Sequence, residues 1–535
     1  MTDLDLVCDV LVIGGGPAGA WTAIGAARAG ADVLLVDKGY CGTSGAAAAA
    51  GVGAWYVPPT EEEREHAVRS RQKLGGDLAE RAWVERVLDE VWVRMRELDA
   101  FGFPFSDTER PREDLENPGG MGYQRGMNFL HLQGPDLMRV MRRQVRRAGV
   151  RILDQSPVLQ LLTDGSGAVV GAHGRRRQEQ VDYRVRAGAT VIATGGCAFL
   201  SHAIGTDVDT GDGYLFAAEA GAHLTGMEFS NAYSLGAKGT SASKGAHFAY
   251  GTFTREDGSE IEGAGVLRGR SVIARALIDG PVYCVFDQAD DAVEHEMRLQ
   301  QPNFMGGLDK LGIDPRKQRF EVDLILEGTV RGTGGIDVVT DDCATGVPGL
   351  FAAGDAATRQ LICGGFTGGG SHNIAWAAAS GTFAGTGAAR YARAHGTAAV
   401  RTHDTARAGL AGTGGTDHRE IVRAVQGEIL PLAKNYFRAG DRLRASLDVL
   451  DAAWRSTVDL GPDADGRSHA RSAVALAATG RWMYASALAR TETRGMHRRD
   501  DFPGIDPAQT SRLLTGGLDD VWTRWEQDAL LGAAS

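Results

Sequence analysis

Three glycines near the start of the chain have the spacing needed to hold a pyrophosphate. Apolar residues from Val7 onward lead into Gly14, Gly16 and Gly19, which fit the pattern G-x-G-x-x-G. The first glycine allows a tight turn after a strand, the second lets the backbone approach a phosphate, and the third lets the next helix pack on the sheet. Unpaired N–H groups at the start of that helix attract anions. Asp37 follows a second apolar stretch, where a ribose-binding carboxylate belongs, so the sequence predicts a dinucleotide site.

Hydrophobic periodicity indicates the elements that must position these residues. It predicts a strand, a helix over Ala20–Ala29 and a second strand, followed by amphipathic helices between residues 60 and 101. A further helix is predicted from Asp136 to Val145, and then strands at 151–153, 158–162, 168–172 and 183–186. The small residues between Lys38 and Gly51 fit either a loop against a wide, flat group or an alanine-rich helix.

Three later glycine-containing stretches indicate which dinucleotide is bound. A second strand ends in Ala193-Thr-Gly-Gly196, which is typical of flavoproteins, and a third delivers Gly354-Asp355 to a helix start. An acid there can bind the ribityl hydroxyls of a flavin. The glycine-rich stretch that ends at Asn373 opens a helix, whose N–H groups can face the flavin edge where reduction places negative charge. The order of these motifs favours FAD over NAD.

Composition limits the other possibilities. A chain of 535 residues is long enough for two or three domains, and its net charge of -11 disfavours nucleic acid or an anionic membrane surface as a partner. It contains neither a signal peptide nor an apolar run of the ~20 residues that span a bilayer. The six cysteines are scattered without a C-x-x-C, which argues against a metal site, an iron–sulfur cluster or a disulfide framework within the chain. We therefore expect a cytoplasmic protein with reduced thiols.

Together the motifs resemble the fumarate reductase/succinate dehydrogenase flavoproteins, whose relatives are L-aspartate oxidase and the adenylylsulfate reductase α subunit. The resemblance covers almost the whole chain. Near its end, Arg490-Thr-Glu-Thr-Arg-Gly-Met-His-Arg-Arg-Asp-Asp-Phe-Pro503 is similar to the family signature R-T-E-S-R-G-x-H followed by D-(F/Y)-P. The other matching segments are Gly14–Gly19, Ser44, Ala193–Gly196, Thr210–Gly213, Met227-Glu228, Gly269–Arg275, Gly334–Ile336 and Gly349–Ala357.

The resemblance implies an α/β fold with a discontinuous, Rossmann-like FAD-binding domain. This domain would comprise residues 1–226 and 328–393, with an α+β capping domain, residues 227–327, inserted between its halves. Residues 394–416 are small and polar and indicate a linker. Apolar residues at helical spacing then predict a helical C-terminal domain over residues 417–535.

The resemblance also implies which residues hold FAD. In respiratory members of the family a histidine in S-H-T attaches the flavin; aligning Ser44 places Gly45 at that histidine, so we expect non-covalent FAD. The predicted cofactor-binding residues are Gly14, Gly16, Pro17, Ala18, Gly19, Asp37, Lys38, Thr43, Ser44, Gly51, Val158, Ala193, Thr194, Gly195, Asp212, Gly354, Asp355, Ser371, Asn373 and Ile374.

A catalytic arginine is implied as well. In the family, the arginine of a G/P-R-D segment in the capping domain moves the proton that accompanies hydride transfer at flavin N5. The matching segment here places Arg270 in that role, with Ser271 where the family has aspartate. Arginine is a poor acid in water. The role therefore requires a dry site and a relay that restores the proton.

The family's substrate-binding groups are largely replaced. Its H-P-T-G motif is Tyr233–Gly236 here, its second histidine falls on Val330, and its carboxylate-binding arginine falls on Gly368. We therefore expect a substrate other than succinate or fumarate. Each remaining candidate, Asn231 included, could instead be structural: Tyr233 in the core, Arg331 in solvent, and His372 as a hydrogen-bonding group at a helix start. The predicted substrate-binding residues are Asn231, Tyr233, Arg331 and His372.

We interpret the chain as an FAD-dependent oxidoreductase that transfers a hydride at flavin N5 to or from a small organic substrate. One alternative is an oxidase like L-aspartate oxidase, which returns electrons to oxygen. Another is a catalytic subunit like that of adenylylsulfate reductase, which works with a separate iron–sulfur or other electron-transfer protein. A tRNA-modifying flavoprotein is disfavoured by the acidic composition. Reduction of the flavin by any substrate would exclude a non-catalytic scaffold.

Overall fold

The apolar residues Leu4–Ile13 form the central strand of a large sheet. A computed structural model describes residues 4–528 except 44, 50, 106–128, 244–245, 267–268, 368–371, 398–400, 411, 462 and 464–466. Val10 and Leu11 are fully buried in the central strand. A strand that is covered on both faces has a continuous apolar run rather than an alternating pattern, which explains why the sequence predicts this element well.

The strands and helices are numbered in chain order. The strands are β1 (Leu4–Ile13), β2 (Val33–Val36), β3 (Gly51–Trp55), β4 (Phe129–Gln133), β5 (Arg151–Leu153), β6 (Val158–Thr163), β7 (Val169–Arg176), β8 (Val181–Ile192), β9 (Leu224–Thr225), β10 (Ala232–Ala237), β11 (Thr252–Arg255), β12 (Val282–Val285), β13 (Phe320–Glu327), β14 (Gly335–Ile336), β15 (Leu350–Ala352), β16 (His403–Asp404), β17 (Leu513–Gly516) and β18 (Trp522–Trp525). The helices are α1 (Pro17–Arg28), α2 (Glu61–Gly75), α3 (Arg81–Ala100), α4 (Gly134–Arg147), α5 (Asp212–Glu219), α6 (Arg270–Asp279), α7 (Asp291–Gln300), α8 (Pro302–Lys310), α9 (Gly328–Arg331), α10 (Gln360–Cys363), α11 (His372–His395), α12 (His418–Ile429), α13 (Leu432–Asn435), α14 (Gly440–Ser456) and α15 (Ser468–Ala489).

The large sheet has a parallel part and an antiparallel part. Its order is β16-β6-β7-β8-β1-β2-β5, and β15 pairs with β8 off this path. β1 pairs in parallel with both β2 and β8. Residues 181–186 of β8 pair antiparallel with β7, whereas residues 190–192 pair in parallel with β15. The strands predicted at 183–186 and from Thr190 onward are therefore a single strand, β8. Both of its halves pair with β1, but on the other side one half pairs with β7 and the other with β15.

Helices α1 and α11 approach each other closely. A Cβ atom on Gly381 would lie 2.6 Å from the carbonyl oxygen of Ala18, and one on Gly385 would lie 2.2 Å from that of Thr22. Because any larger residue would force the backbones apart, these two positions require glycine.

A second sheet is formed by residues inside the range predicted for the capping domain. Its strands are antiparallel in the order β10-β13-β12-β11. Four phenylalanine rings pack against one another beside it, with centroids 5.4 to 6.1 Å apart. These rings belong to Phe248, Phe286, Phe304 and Phe320. Because Phe304 lies on α8 and Phe320 on β13, the cluster packs α8 against the sheet. Strand β12 of the same sheet contacts α6, the helix that begins with Arg270.

The C-terminal region contains the predicted helices and two additional strands. Helices α12, α14 and α15 contact one another. Strand β17 pairs with β9, and β18 pairs with β17. Within the predicted linker, His403 and Asp404 form β16 and pair with β6. These strands have only two to four residues, too few for a periodic pattern to predict them.

The C-terminal signature is anchored in the interior by ion pairs. Arg490 Nε donates to Glu228 Oε1 over 2.8 Å, and its Nη1 donates to Glu492 Oε1 over 2.8 Å. Arg494 Nε donates to the same oxygen of Glu492 over 2.6 Å. All four side chains are buried. The signature therefore ties the C-terminal region to Met227-Glu228, another of the segments that carry the resemblance.

Two expectations from composition can be compared with the structure. Within the described ranges, no helix combines the length and apolar character needed to cross a membrane. All six cysteines are buried and unpaired. Burial raises the pKa of Cys8 and Cys41 to about 12, which makes these thiols poor nucleophiles.

Candidate functional site

Four distant segments of the chain meet at one edge of the large sheet. Ile13 pairs with Val36 and Ile192, and Ile192 pairs with Ala352. Because these strands are parallel, the loops that follow them leave from the same edge. The residues that begin or lie in these loops are Gly14, Asp37, Ala193 and Gly354. The pairing therefore brings together the glycine motifs that the sequence predicted for one dinucleotide site.

The glycine turn after β1 has the geometry that its spacing predicts. Gly14 has a φ of 111°, and a Cβ there would lie 2.3 Å from the carbonyl oxygen of Ala193. A Cβ on Gly19 would lie 1.8 Å from the carbonyl oxygen of Gly14. Gly16 precedes α1, and a Cβ there would meet nothing within 4 Å. The open side of the turn is thus at Gly16, where α1 begins with Pro17 and Ala18.

Asp37 supports this turn through both carboxylate oxygens. The N–H of Gly15 donates to Oδ2 over 2.6 Å, and the N–H of Gly39 donates to Oδ1 over 2.6 Å. The side chain is buried. Each carboxylate oxygen can accept more than one hydrogen bond, so the position is compatible with a ribose hydroxyl as an additional donor.

Lys38 and Asp212 bind each other. Lys38 Nζ donates to Asp212 Oδ2 over 3.0 Å and to Thr210 Oγ1 over 3.1 Å, and Ser472 donates to Asp212 Oδ1 over 3.0 Å. Burial alone would lower the pKa of Lys38, but the carboxylates of Asp212 and Asp209 outweigh it and the pKa is raised. Both predicted cofactor residues therefore take part in a fixed polar cluster.

Asp209 is a member of this cluster that the sequence did not identify. Burial raises its pKa well above the usual range, and nearby carboxylates add to the effect. Its Oδ2 atom is buried and has no hydrogen-bond partner among the described residues. A Cβ on Gly195 would lie 2.7 Å from Asp209 Oδ1, which explains the glycine at this predicted position. The side chain is thus available for one further polar group.

The loop after β15 is held by three contacts. The N–H of Gly354 donates to Ser380 Oγ over 2.9 Å, and Trp376 Nε1 donates to the carbonyl oxygen of Gly354 over 2.9 Å. Asp355 forms an ion pair with the buried Arg359. The carboxylate predicted to bind ribityl hydroxyls is therefore oriented by a guanidinium group.

The start of α11 carries two side chains with unpartnered buried atoms. Asn373 Nδ2 donates to the carbonyl oxygen of Val330 over 2.6 Å, whereas Asn373 Oδ1 has no partner in the described ranges. Neither ring nitrogen of His372 has one there either. The His372 ring lies edge-on to Trp55, 4.6 Å between centroids. Burial and two nearby guanidinium groups lower its pKa well below the usual range.

The remaining predicted cofactor residues lie in several elements of the fold or outside the described ranges. Thr194 Oγ1 is 2.2 Å from where a Cβ on Gly213 would lie, so the Ala193–Gly196 motif packs on the Thr210–Gly213 segment. Gly51 begins β3, and Val158 begins β6. Thr43 lies in the loop after β2, and Ile374 lies in the first turn of α11. The predicted residues Ser44 and Ser371, and the position Gly368, are outside the described residues.

Arg270 lies at the start of α6, where the capping sheet meets the C-terminal region. Its Nη1 donates to the carbonyl oxygen of Tyr233 over 3.2 Å, and its buried Nε has no partner among the residues that the structure describes. Burial lowers the pKa of Arg270, and the positive charge of Arg331 acts in the same direction. These are the surroundings in which a guanidinium group loses a proton most readily.

Two predicted substrate residues are used within the fold. The Tyr233 hydroxyl is 3.0 Å from the carbonyl oxygens of both Ile429 and Leu430. Asn231 Nδ2 donates to the carbonyl oxygens of Asn435 and Met496 over 3.0 and 3.2 Å. Both side chains are buried. They attach the capping segment to the C-terminal region, as the structural interpretation of each residue expected.

Arg331 is fixed by a buried carboxylate that the sequence did not identify. Arg331 Nε lies 2.9 Å from Glu327 Oε2, and Arg331 Nη1 donates to Ser234 Oγ over 3.2 Å. Ser234 and Ser243 donate to the two carboxylate oxygens of Glu327 over 2.9 and 2.6 Å. Glu327 is fully buried, whereas the Arg331 side chain is 28% exposed. The arrangement presents one partly accessible guanidinium group near Arg270.

Comparison with known proteins identifies the family. Residues 9–374 match the family described as FAD binding domain, which is more than half of the chain. The chain belongs to this FAD binding domain family. It is an FAD-dependent oxidoreductase, and a fumarate reductase subunit is among its relatives, as the motifs predicted.

Relatives match this family member over nearly its whole length. One of the subunits of fumarate reductase (CoM/CoB) from Methanothermobacter marburgensis is 25% identical over 95% of this chain and 96% of that protein. L-aspartate oxidase of Mycobacterium bovis is 26% identical over 96% of each chain. The fold matches FrdA of E. coli quinol fumarate reductase with a TM-score of 0.80 and 21% identity, over 98% of this chain and 96% of that one. The predicted α/β fold is confirmed.

The residues present fit the cofactor that the FAD binding domain family implies. Gly16 leaves the start of α1 open to a phosphate. Asn373 Oδ1 is a buried acceptor atom, and Oδ2 of Asp209 is a buried atom of a carboxyl group whose raised pKa favours the protonated form; neither has a protein partner in the described part of the chain. Buried polar atoms of this kind usually gain a partner from water or a ligand. FAD carries hydroxyl and ring N–H donors of the type that such acceptors need.

Proposed function

We propose that this chain binds FAD without a covalent link and uses it to oxidise or reduce a small organic substrate other than succinate or fumarate. The observation that carries the proposal is the pairing of Arg331 with the buried Glu327 beside Arg270. A guanidinium group held in this way suits one anionic group of a substrate, because its fork of N–H donors matches a carboxylate.

Specific residues would hold FAD. The turn from Gly14 to Gly19 and the start of α1 would hold the pyrophosphate, Asp37 and Asp355 the sugar hydroxyls, and Asn373 the flavin edge. When bound, FAD accepts or supplies a hydride at N5. The four aligned strand ends support this assignment, since they bring these residues to one edge of the sheet.

Arg270 would hold and move the proton that accompanies hydride transfer. Its lowered pKa eases loss of the proton, and the hydrogen bond to the Tyr233 carbonyl oxygen fixes the direction of the guanidinium fork. The charge of Glu327 favours the protonated form and would help to restore it. Arg270 would thus act as a positioned acid in a site largely removed from water.

The replaced family positions support a substrate with fewer carboxylates. Of the four positions, Tyr233 uses its hydroxyl within the fold, and Leu235 and Val330 are buried apolar residues. A dicarboxylate in this site would leave one charge without a partner. An unpaired buried charge costs several kcal/mol, so a dicarboxylate should bind poorly.

The similarity to L-aspartate oxidase supports a second candidate, in which the reduced protein returns electrons to oxygen. The similarity to one subunit of fumarate reductase (CoM/CoB) supports the other alternative, in which this chain exchanges electrons with a separate electron-transfer protein. Fast reoxidation in air with formation of hydrogen peroxide would favour the oxidase, and slow reoxidation would favour the partner protein.

The proposal is tested by anaerobic reoxidation of the photoreduced protein. Fumarate and a panel of unsaturated acids with a single carboxylate are added separately, and the flavin absorbance is followed at 450 nm. If the protein favours reduction of its substrate, we expect slow reoxidation by fumarate and fast reoxidation by at least one monocarboxylate. Oxidation of the substrate is tested in the same way, by adding saturated monocarboxylates to the oxidised protein. Fast reoxidation at micromolar fumarate would contradict the proposal.

A further inference from the structure

A cleft with a volume of about 570 Å³ lies beside the loop between β2 and β3. One wall is formed by Tyr40 and the loop residues that follow it. The other is formed by α4, which contributes five arginines to the lining, namely Arg139, Arg142, Arg143, Arg146 and Arg147. Pockets of this size hold small molecules rather than single ions.

The loop separates this cleft from the proposed FAD site. On the inner side of the loop, a Cβ on Gly15 would lie 2.7 Å from Cys41 Cβ, so the loop packs directly on the glycine turn. On the outer side, a Cβ on Gly42 would lie 3.0 Å from Arg142 Cδ. The cleft therefore adjoins the proposed cofactor site across one loop, and Thr43, a predicted cofactor residue in that loop, also lines the cleft.

The arginine face of α4 contains three pairs of like charges at a spacing of four residues. Arg139 and Arg143, Arg142 and Arg146, and Arg143 and Arg147 are like-charge pairs four residues apart. Like charges at this spacing destabilise a helix. Elsewhere the chain places a glutamate at this spacing, as in Glu65–Arg69, Arg81–Glu85 and Glu294–Arg298. The face therefore has a repulsion that an anionic ligand would relieve.

The five guanidinium groups divide into fixed and available ones. Arg142 binds Asp154 through both Nη atoms, over 3.0 and 2.6 Å, and lies 3.9 Å from the ring centroid of Tyr40. Arg139 pairs with Asp136, and Arg143 donates to the carbonyl oxygen of Phe101. Arg146 and Arg147 form no ion pair with any described residue. Fixed groups thus shape the wall, and two free groups can bind.

We propose that this cleft binds a compact polyanion that carries a diphosphate or triphosphate group. Arginine forks bind phosphate oxygens in pairs, and the adjacent free side chains supply two such forks. An extended polyanion such as a nucleic acid fits less well, because it would leave the cleft and meet the surface of a chain whose net charge is -11. The proposal is independent of the proposed function, since it requires neither substrate nor turnover.

Isothermal titration calorimetry on the FAD-loaded protein tests the proposal, with inorganic pyrophosphate as the probe and ionic strength held constant. We expect saturable binding with a micromolar dissociation constant and no release of FAD. The double variant Arg146→Gln/Arg147→Gln should bind pyrophosphate at least 10-fold more weakly. The matched control is Arg419→Gln/Arg423→Gln, a pair four residues apart on α12, which should stay within 2-fold of the parent protein.

Four results would overturn the proposal. The first is the absence of saturable binding up to millimolar pyrophosphate. The second is equal weakening in both double variants, which would mean that only the overall charge matters. The third is displacement of FAD during the titration, which would place the probe in the cofactor site. Tighter binding of a 20-residue single-stranded DNA than of pyrophosphate would overturn the compact ligand in favour of an extended one.

Discussion

Glu327 and Arg331 form an ion pair of 2.9 Å at the point where the capping sheet returns to the large sheet. The carboxylate is fully buried and also accepts hydrogen bonds from Ser234 and Ser243. The guanidinium group, by contrast, keeps some contact with water. Because its partner is held from several sides, Arg331 has a defined direction in front of Arg270. Glu327 is therefore a positioning residue for the proposed substrate site.

We expect Glu327→Gln to lower the free energy of unfolding by about 1–3 kcal/mol, since removing one partner leaves the other charge uncompensated. The partial exposure of Arg331 places the value below that of a fully buried pair. Urea denaturation measures the change. Glu321→Gln is the control on the same strand, because its partner Lys238 is exposed, and it should have no measurable effect. An equal loss in both variants would contradict the assigned role.

The glycine turns of the candidate site could be predicted from the sequence, whereas the surroundings of its charged residues could not. Glycines such as Gly14 and Gly19 are required by contacts within a few residues or across paired strands, so their spacing indicates the structure directly. Glu327 and Asp209 acquire their surroundings only from distant segments, and in the sequence they resemble ordinary charged residues. Tyr233 was predicted to bind substrate, but its hydroxyl donates to a carbonyl oxygen at the end of α12. No local sequence pattern indicates this contact.

Arg270→Lys should retain FAD and lower turnover at least ~10²-fold, the usual scale for loss of a positioned acid–base group. Lysine keeps the charge but loses the planar fork that reaches the Tyr233 carbonyl oxygen. Turnover is measured with the substrate that the anaerobic panel identifies. Arg275→Lys, an exposed residue on the same helix that pairs with Asp500, should retain at least half of the activity. Near-normal turnover of Arg270→Lys would remove this residue from the mechanism.

The purified protein should be yellow, and acid or heat should release all of its FAD. Position 45 aligns with the histidine through which respiratory relatives attach the flavin, and this chain has glycine there. The φ of Gly45 is 88°, a backbone conformation that is strained for any residue with a side chain. The measurement is flavin fluorescence in the soluble fraction after precipitation and on the denatured chain in a gel. Fluorescence that stays with the chain would show a covalent link. A Gly45→Ala variant should weaken FAD binding through backbone strain alone.

The buried imidazole of His497 should make stability fall in mild acid. Its Nε2–H donates to the Arg490 carbonyl oxygen over 3.1 Å, and its Nδ1 accepts from Arg438 over 2.8 Å, so the ring is held neutral. Burial and the charge of Arg438 lower its pKa well below the usual range. The unfolded chain takes up a proton as the pH falls below about 6.5, whereas the folded chain does not.

This contribution to stability is therefore complete above pH ~6.5 and decreases below it by about 1.4 kcal/mol per pH unit. Urea denaturation between pH 7.5 and 5.5 measures it as a difference between variants, because other groups also titrate in this range. His497→Gln keeps one donor and one acceptor but cannot take up a proton, so its stability should fall less steeply than that of the parent protein. His202→Gln, which replaces an exposed ring, should keep the parent slope. Parallel slopes for the parent protein and His497→Gln would show that this imidazole is protonated in the folded chain, contrary to its hydrogen bonds.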